Sequence, residues 1–212
     1  MNMEFIRPED IEKESMAIID GILAEKGVIP DPECAPVLKR VIHTSADFDY
    51  AENLRFVNEA VSEGLKALAN GVIVTDTNMA LAGINKRALS EAGCEAVCYM
   101  AEAFIANEAK RNGTTRAYAS VDHAFREHPR AVLAVGNAPT ALNRICDHIE
   151  QGKRPALVIG VPVGFVNVVE SKERALRVCM EHGIPAILAM GRKGGSNIAA
   201  AICNALLYRL SL

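Results

Sequence analysis

From about residue 70 onward, short aliphatic runs alternate with longer stretches of helical spacing, and this alternation most constrains the fold. Five runs, apolar on nearly every residue, are predicted to be strands: Val72–Thr75, Glu95–Tyr99, Ala131–Val135, Ala156–Gly160 and Ala186–Met190. Five predicted helices follow them: Asn78–Glu91, Thr115–Arg126, Pro139–Glu150, Glu170–Glu181 and Ser196–Tyr208. Strands that are apolar on both faces are typical of a parallel sheet covered by helices on both sides. The pattern therefore predicts one α/β domain over residues 1–212, built on a mainly parallel sheet.

The N-terminal third is predicted to be helical and to pack on the same sheet. One helix is expected over about residues 8–26 and a second over about residues 35–43. A third is expected to begin near Asp49, where Asp49 and Glu52 fit a capping box, and to end near residue 70. Its apolar stripe would consist of Leu54, Val57, Val61, Leu65 and Leu68.

Composition and charge argue against several classes of protein. The chain has 23 basic and 26 acidic residues and no basic run, which argues against nucleic acid as a partner. Its longest apolar stretch, near residues 156–169, is interrupted by glycine, proline and asparagine, so no membrane span is expected. The charged N-terminus does not look like a signal peptide, and a cytoplasmic location is expected. The six cysteines include no CxxC pair, which favours reduced thiols over a zinc site, and no metal site is predicted.

Three glycine-containing loops, each after a predicted strand and before a helix, are the strongest candidates for a ligand site. They cover residues 136–142, 160–167 and 191–197, and they contribute the candidate residues Asn137, Gly164, Arg192, Lys193 and Gly194. Ligands of open parallel sheets bind at the carboxyl ends of the strands, where helix N-termini offer free N–H groups to anions. None of the loops matches a dinucleotide or P-loop motif, so a non-nucleotide anion is favoured. Structural glycines are the alternative.

Two further polar segments lie where a ligand could bind. Thr75 begins the polar segment 75–78 after the first strand, and Arg116 ends the segment 112–116. Helix capping is the alternative interpretation of both segments.

His43 is the candidate for proton chemistry. On its predicted helix, Val37, Leu38, Val41 and Ile42 define one apolar stripe, and helical spacing places Arg40 and His43 on the opposite side. His43 is therefore expected to face water or a cavity, with an arginine about one turn away. The alternative is a surface histidine without a catalytic role.

Five segments together resemble the precorrin-8X methylmutase family of cobalamin biosynthesis. They read SMAII at 15–19, RVIH at 40–43, GNAPTAL at 136–142, GVPVGFVNVVESK at 160–172 and GRKGGSNIAAAICNAL at 191–206. The resemblance extends over nearly the whole chain. It implies an isomerase that moves a methyl group from C-11 to C-12 of a contracted tetrapyrrole, giving hydrogenobyrinate or its cobalt form.

The same resemblance implies roles for particular residues. His43 would be the catalytic acid/base that protonates the macrocycle for a 1,5-sigmatropic shift, and Ser15 and Arg40 would contact the substrate. No methyl donor or cofactor would be needed, and the protein would be a homodimer. The substrate could be the cobalt-free or the cobalt-containing tetrapyrrole.

This substrate agrees with the candidate residues, because it carries many carboxylates around a flat apolar ring. Helix N-termini and the side chains of Arg40, Arg116, Arg192 and Lys193 are expected to converge on one basic mouth. Val163, Phe165 and Val166 could form apolar walls. Two alternatives remain: a carrier that only binds a corrinoid, and an α/β enzyme that uses the 191–196 loop on a phosphorylated metabolite.

Overall fold

The structure, a computed structural model, describes residues 7–210 and consists of a six-stranded sheet with helices on both faces. The strands are β1 (Leu54–Val57), β2 (Val72–Thr75), β3 (Glu95–Val97), β4 (Val132–Val135), β5 (Leu157–Gly160) and β6 (Ala186–Ala189). The helices are α1 (Pro8–Glu25), α2 (Ala35–Ser45), α3 (Tyr50–Asn53), α4 (Ala60–Leu68), α5 (Asn78–Gly83), α6 (Lys86–Glu91), α7 (Ala103–Asn112), α8 (Arg116–Glu127), α9 (Pro139–Glu150), α10 (Val168–His182) and α11 (Ser196–Leu210). No helix in this described range is long and apolar enough to cross a membrane.

The sheet has the order β1-β6-β5-β4-β2-β3, and every pairing is parallel except that of β1 with β6. All four residues of β4, β5 and β6 are buried, as the aliphatic runs predicted, because helices cover both faces. The predicted α/β class and all five predicted strands are confirmed, most of them one or two residues shorter than expected.

The prediction of one helix over 49–70 is wrong, because β1 interrupts it. Leu54 and Val57 have helical spacing with later apolar residues, but they pair instead with Ala189 and Ala186 of β6. Asn58 and Glu59 then turn the chain in the left-handed conformation. Strand pairing has therefore outweighed the local periodicity. The expected capping box is also absent, since the side chain of Asp49 does not cap α3.

Two smaller differences concern helices. The expected helix 78–91 is divided into α5 and α6, because the Asn85 side chain accepts from the backbone N–H groups of Arg87 and Ala88 and begins a new helix. The second difference is that helix α7 was not predicted.

Capping by Thr77 and Thr115, the alternative interpretation of their segments, is confirmed by their bonds to Ala80 N and Tyr118 N.

The helices form three layers around the sheet. Helices α8, α9 and α10 share a core with one face of the sheet, and α4 and α11 share a core with the other. Helix α11 is buried on almost every side because α2 packs on it, and α1 packs on α2 in turn. The N-terminal third therefore reaches the sheet partly through α4 and partly through an outer layer over α11.

The loops after β5 and β6 approach each other closely. Gly195 donates its N–H to Val161 O at 2.9 Å, and Gly164 donates to Arg192 O at 3.3 Å. Gly194 has a φ of 157°, and a Cβ at this position would lie 2.1 Å from Val161 O. Gly194 is thus needed for the contact between two loops, whatever else it does.

We expect Gly194→Ala to destabilise the protein by roughly 3 kcal/mol or more, because the added methyl group meets backbone and the conformation is strained. Urea unfolding measures the change. Gly21→Ala is the matched control: Gly21 lies within α1 with nothing within 4 Å of an added Cβ. That change should stabilise by about 0.5–1 kcal/mol. Equal effects of the two substitutions would contradict the close loop contact.

Candidate active site

His43 lies in a solvent-open groove between α1 and α2. The groove has a volume of about 220 Å³ and is lined by Ser15, Ile18, Ile19, Ile22, Ile42, His43, Ala46 and Phe48. Two candidate residues that are 28 positions apart, Ser15 and His43, therefore share one apolar groove. The predicted orientation of α2 is confirmed: its apolar stripe is buried and His43 is exposed.

The last turn of α2 is fixed by local hydrogen bonds around His43. Ser45 donates its hydroxyl to Val41 O at 2.8 Å, and Thr44 donates to Arg40 O at 2.9 Å. Ala46 ends the helix in the left-handed conformation, with its N–H bonded to Ile42 O. These bonds hold the backbone that carries the imidazole.

Arg40 is engaged with protein groups and does not line the groove. Its guanidinium forms an ion pair with Glu12 of α1 and lies over the Tyr208 ring, 5.0 Å from the centroid. The hydrogen bond from Arg40 lowers the pKa of Glu12. Arg40 therefore links α1, α2 and α11, and a substrate carboxylate would have to compete with Glu12 for it.

Lys193 connects the third glycine loop to the segment that follows α2. Its Nζ lies 2.6 Å from Asp47 Oδ2 and 2.5 Å from Asp49 Oδ2. Both carboxylates raise the pKa of Lys193, and the bond to Lys193 lowers the pKa of Asp47. This ion-pair cluster places the loop after β6 beside the end of the helix that carries His43.

The expected convergence of four cations on one mouth is not seen at this groove, because none of the four lines it. Arg40 and Lys193 are held by carboxylates. Arg116 and Arg192 are exposed and have no hydrogen bond or ion pair from their side chains within residues 7–210. Contact of these four side chains with substrate stays a prediction.

The loop that precedes α9, one of the expected anion sites, already binds a carboxylate of the chain with its backbone N–H groups. Asp76 is buried and accepts the N–H groups of Gly136, Asn137 and Ala138, each at 2.8 Å. Burial raises the pKa of Asp76, although the three N–H groups oppose that effect. The expectation of an open anion site here was wrong. Its sequence signal was the acidic residue directly after β2.

The remaining candidate residues are placed around the same edge of the sheet. Thr75 is buried, and its hydroxyl donor lies within reach of two backbone carbonyl oxygens, Thr77 O at 3.1 Å and Val97 O at 3.4 Å. The Asn137 side chain is exposed, and Gly164 is half-buried in the loop after β5. Their roles in binding substrate stay predictions.

Sequence reasoning gave no role to Lys172, a buried cation of α10. It is 0% exposed, and its Nζ donates to Gly191 O at 2.9 Å and to Lys193 O at 2.8 Å. Burial lowers the pKa of this ammonium to about 8. The only signal in the sequence was a lysine within the 160–172 motif, at a position that the helix buries.

The described residues contain no cluster of three or more His, Cys, Asp or Glu side chains that could hold a metal ion. Two other histidines are bound to side chains away from the groove. His148 lies 2.6 Å from Asp122, and His128 lies 2.7 Å from the Tyr99 hydroxyl. Unlike these two, His43 lines the groove that also contains Ser15.

Comparison with known proteins identifies the family. The family model for precorrin-8X methylmutase (CbiC) matches residues 10–209. The chain belongs to this methylmutase family. The resemblance carried by the five sequence segments is confirmed, and the chain is an isomerase of cobalamin biosynthesis.

Individual methylmutases support the same assignment. The cobalt-precorrin-8 methylmutase of Salmonella typhimurium is 45% identical over 98% of this chain and 99% of its own length. That of Leptospira interrogans is 41% identical over 93% of this chain and 92% of its own length. A crystal structure of the precorrin-8X methylmutase of Thermus thermophilus has 40% sequence identity and a TM-score of 0.83, and the match covers 95% of this chain and 97% of that one.

The lowered pKa of Lys172 predicts a pH-dependent contribution to stability. Below pH 8 the ammonium is charged in both states and its burial costs about 3 kcal/mol. Between about pH 8 and 10.5 the unfolded chain binds more protons than the folded one, so this cost declines as pH rises. Wild type should therefore gain up to about 3 kcal/mol relative to Lys172→Met across this range.

The measurement is urea unfolding under reducing conditions at several pH values, taken as the difference between wild type and variant. Cysteines and tyrosines titrate in both proteins and cancel in that difference. Lys66→Met, which removes an exposed lysine paired with Glu63, is the control and should show a nearly constant difference. A constant difference for Lys172→Met as well would contradict the lowered pKa.

Proposed function

We propose that this chain catalyses the shift of a methyl group from C-11 to C-12 of precorrin-8X or cobalt-precorrin-8, with His43 as the acid/base. The single observation that carries the proposal is the groove shared by Ser15 and His43, which are the positions that the family resemblance assigns to substrate contact and proton transfer. An exposed imidazole at an apolar groove combines access for a proton with walls suited to a flat ring.

In the proposed reaction, His43 lends a proton and recovers it. Protonation of the macrocycle makes it electron-poor, and the methyl group then moves with its bonding electrons to the adjacent ring carbon. The rearranged macrocycle then returns a proton to His43, which restores the histidine to its starting protonation state. The reaction therefore consumes neither a methyl donor nor an oxidant. Ser15, on the facing helix, would orient the ring by a hydrogen bond.

The carboxylates of the substrate would be bound outside the groove. A volume of about 220 Å³ holds only part of a tetrapyrrole, so the acetate and propionate arms must extend beyond its walls. Arg192 and Arg116 are exposed guanidiniums suited to carboxylates, and Arg40 would bind by exchanging its present partner Glu12. Lys193 would keep Asp47 and Asp49 and offer its third N–H donor to the substrate. Thr75, Asn137, Gly164 and Gly194 would shape the rim.

We favour the cobalt-containing substrate. The relatives from Salmonella typhimurium and Leptospira interrogans reported above are both named cobalt-precorrin-8 methylmutases. Cobalt would belong to the substrate and not to the protein. The expected cytoplasmic setting agrees with the six cysteines, all of which are free thiols in the structure.

The central test is conversion of both tetrapyrroles, followed by absorption spectroscopy, by wild type and by His43→Ala. We expect His43→Ala to lose about 10²–10⁴-fold in turnover, because proton transfer by a positioned group contributes that much. Affinity for the product should change little, because the substitution leaves the groove's apolar walls in place. His182→Ala, at the C-terminal end of α10, is the control and should retain activity.

Two results would support other functions. Binding of tetrapyrroles by wild type without conversion would indicate a carrier. Protection against thermal unfolding by phosphate, with no response to either tetrapyrrole, would indicate an enzyme of phosphorylated metabolites that uses the 191–196 loop.

We also propose that the enzyme is a homodimer in which a second copy covers exposed apolar side chains near the site. The family resemblance implies a homodimer, and Phe165 is 86% exposed in the loop after β5. Val163 and Val166 beside it are also exposed, and a contiguous apolar patch of this kind is typical of contact surfaces. Sedimentation equilibrium should give twice the mass of one chain, and Phe165→Asp should shift the equilibrium toward the monomer. Ile29→Asp is the control, because Ile29 is 94% exposed in the α1–α2 connection. A monomeric wild type at micromolar concentration would contradict the proposal.

A further inference from the structure

The buried ammonium of Lys172 has an unusual set of partners. Both of its hydrogen bonds go to backbone carbonyls of the loop after β6, and no carboxylate pairs with it within residues 7–210. A buried cation without a counter-charge is costly, and two neutral acceptors compensate for it only in part. A methionine would fill similar space in this helix at a lower cost. Lys172 therefore lowers the free energy of unfolding, but its two hydrogen bonds define the geometry of the loop.

The two acceptor carbonyls determine the shape of that loop. They belong to Gly191 and Lys193, on either side of Arg192, so the backbone between them curves around the ammonium. Gly191 permits this turn with a φ of 74°. The carbonyl of Arg192 accepts a hydrogen bond from Gly164 N, and this bond joins the turn to the loop after β5. Lys172 thus fixes the backbone from which the side chains of Arg192 and Lys193 project.

From this backbone, the Lys193 side chain reaches the segment that follows α2. Its Nζ contacts Asp47 and Asp49, and Asp47 N in turn bonds to Ser45 Oγ at 3.3 Å. Ser45 belongs to the last turn of α2, two residues after His43. A continuous set of contacts therefore extends from the interior of α10 to the helix end that carries the imidazole.

We propose that Lys172 is a positioning residue for the methylmutase reaction: it holds the 191–193 turn so that Lys193 lies between Asp47 and Asp49 and fixes the end of α2 at His43. This inference rests on the proposed function, because its consequence is expressed in catalysis by His43. The competing explanation is that Lys172 only stabilises the fold. The two differ in whether its effect passes through Asp47 and Asp49.

A double-mutant cycle on the full-length enzyme separates these explanations. Its members are wild type, Lys172→Met, Asp47→Asn combined with Asp49→Asn, and all three substitutions together. If the contacts act as one unit, Lys172→Met and the aspartate pair should each lower kcat about 10- to 100-fold, with KM changed less than about threefold, because misplacement of a catalytic group by about 1 Å has effects of this size. The combined variant should then lose no more than about twofold beyond the worse of its parents.

A measurement without substrate tests the same contacts. Hydrogen exchange should become faster at residues 43–49 and 191–195 in Lys172→Met, and only there, relative to the rest of the chain. Restoring a donor with Lys172→Gln should recover part of the protection and part of kcat. If Lys172→Met does not fold, Lys172→Gln replaces it in the cycle. Lys66→Met is the control and should leave kcat and the exchange pattern unchanged.

The outcomes distinguish this inference from the proposed function. Two outcomes would overturn the positioning role and leave a purely structural lysine. One is a loss of kcat in the combined variant equal to the product of the losses in its parents. The other is faster hydrogen exchange throughout α10 with no change at residues 43–49. An unchanged kcat in Lys172→Met would also overturn the positioning role. In that case, turnover by wild type would still support the proposed function. Absence of wild-type turnover would contradict the proposed function, and the exchange pattern would still decide whether Lys172 holds α2 in place.

Discussion

Burial of the three central strands on both faces is the constraint on which the rest of the structure depends. Strands β4, β5 and β6 expose no residue, so each face of the sheet needs a complete layer of helices. Helix α11 provides much of one layer, and it is so apolar that its outer side also needs cover. Helix α2 provides that cover with its apolar stripe and leaves His43 on the opposite side. The catalytic candidate is thus exposed because its helix has to bury the outer side of α11.

The loops at the carboxyl edge satisfy one another's polar groups. Asp76 binds the backbone of the loop before α9, and Lys172 binds the turn after β6. Opposite charges have been placed in opposite kinds of site, since a carboxylate meets N–H donors and an ammonium meets carbonyl acceptors. As a result, the general rule that such loops bind ligand anions through the backbone does not hold for residues 136–138. In the proposed function, recognition of substrate carboxylates is therefore assigned to side chains such as Arg192.

The sequence predicted those elements whose cause is local and missed those whose cause is distant. Consecutive aliphatic residues revealed the five parallel strands, and helical spacing revealed the orientation of His43. Strand β1 was missed because its identity depends on pairing with β6, more than 120 residues later, and because Leu54 and Val57 also fit a helical stripe. The cations were predicted from their type alone, whereas their partners Glu12, Asp47 and Asp49 are brought to them only by folding. The resemblance supplied the reaction, which no spacing in the chain could have revealed.

Asp76 has one more consequence, which concerns the entropy of binding. A loop whose N–H groups had no partner before substrate binding would be mobile in the free enzyme. The free-energy cost of ordering that loop would then weaken the binding of substrate. Here the carboxylate is covalently part of the protein, so that ordering already took place when the chain folded. Under the proposed function, the tetrapyrrole would therefore meet a rim that is rigid in advance, and its own binding free energy would remain available for orienting the ring.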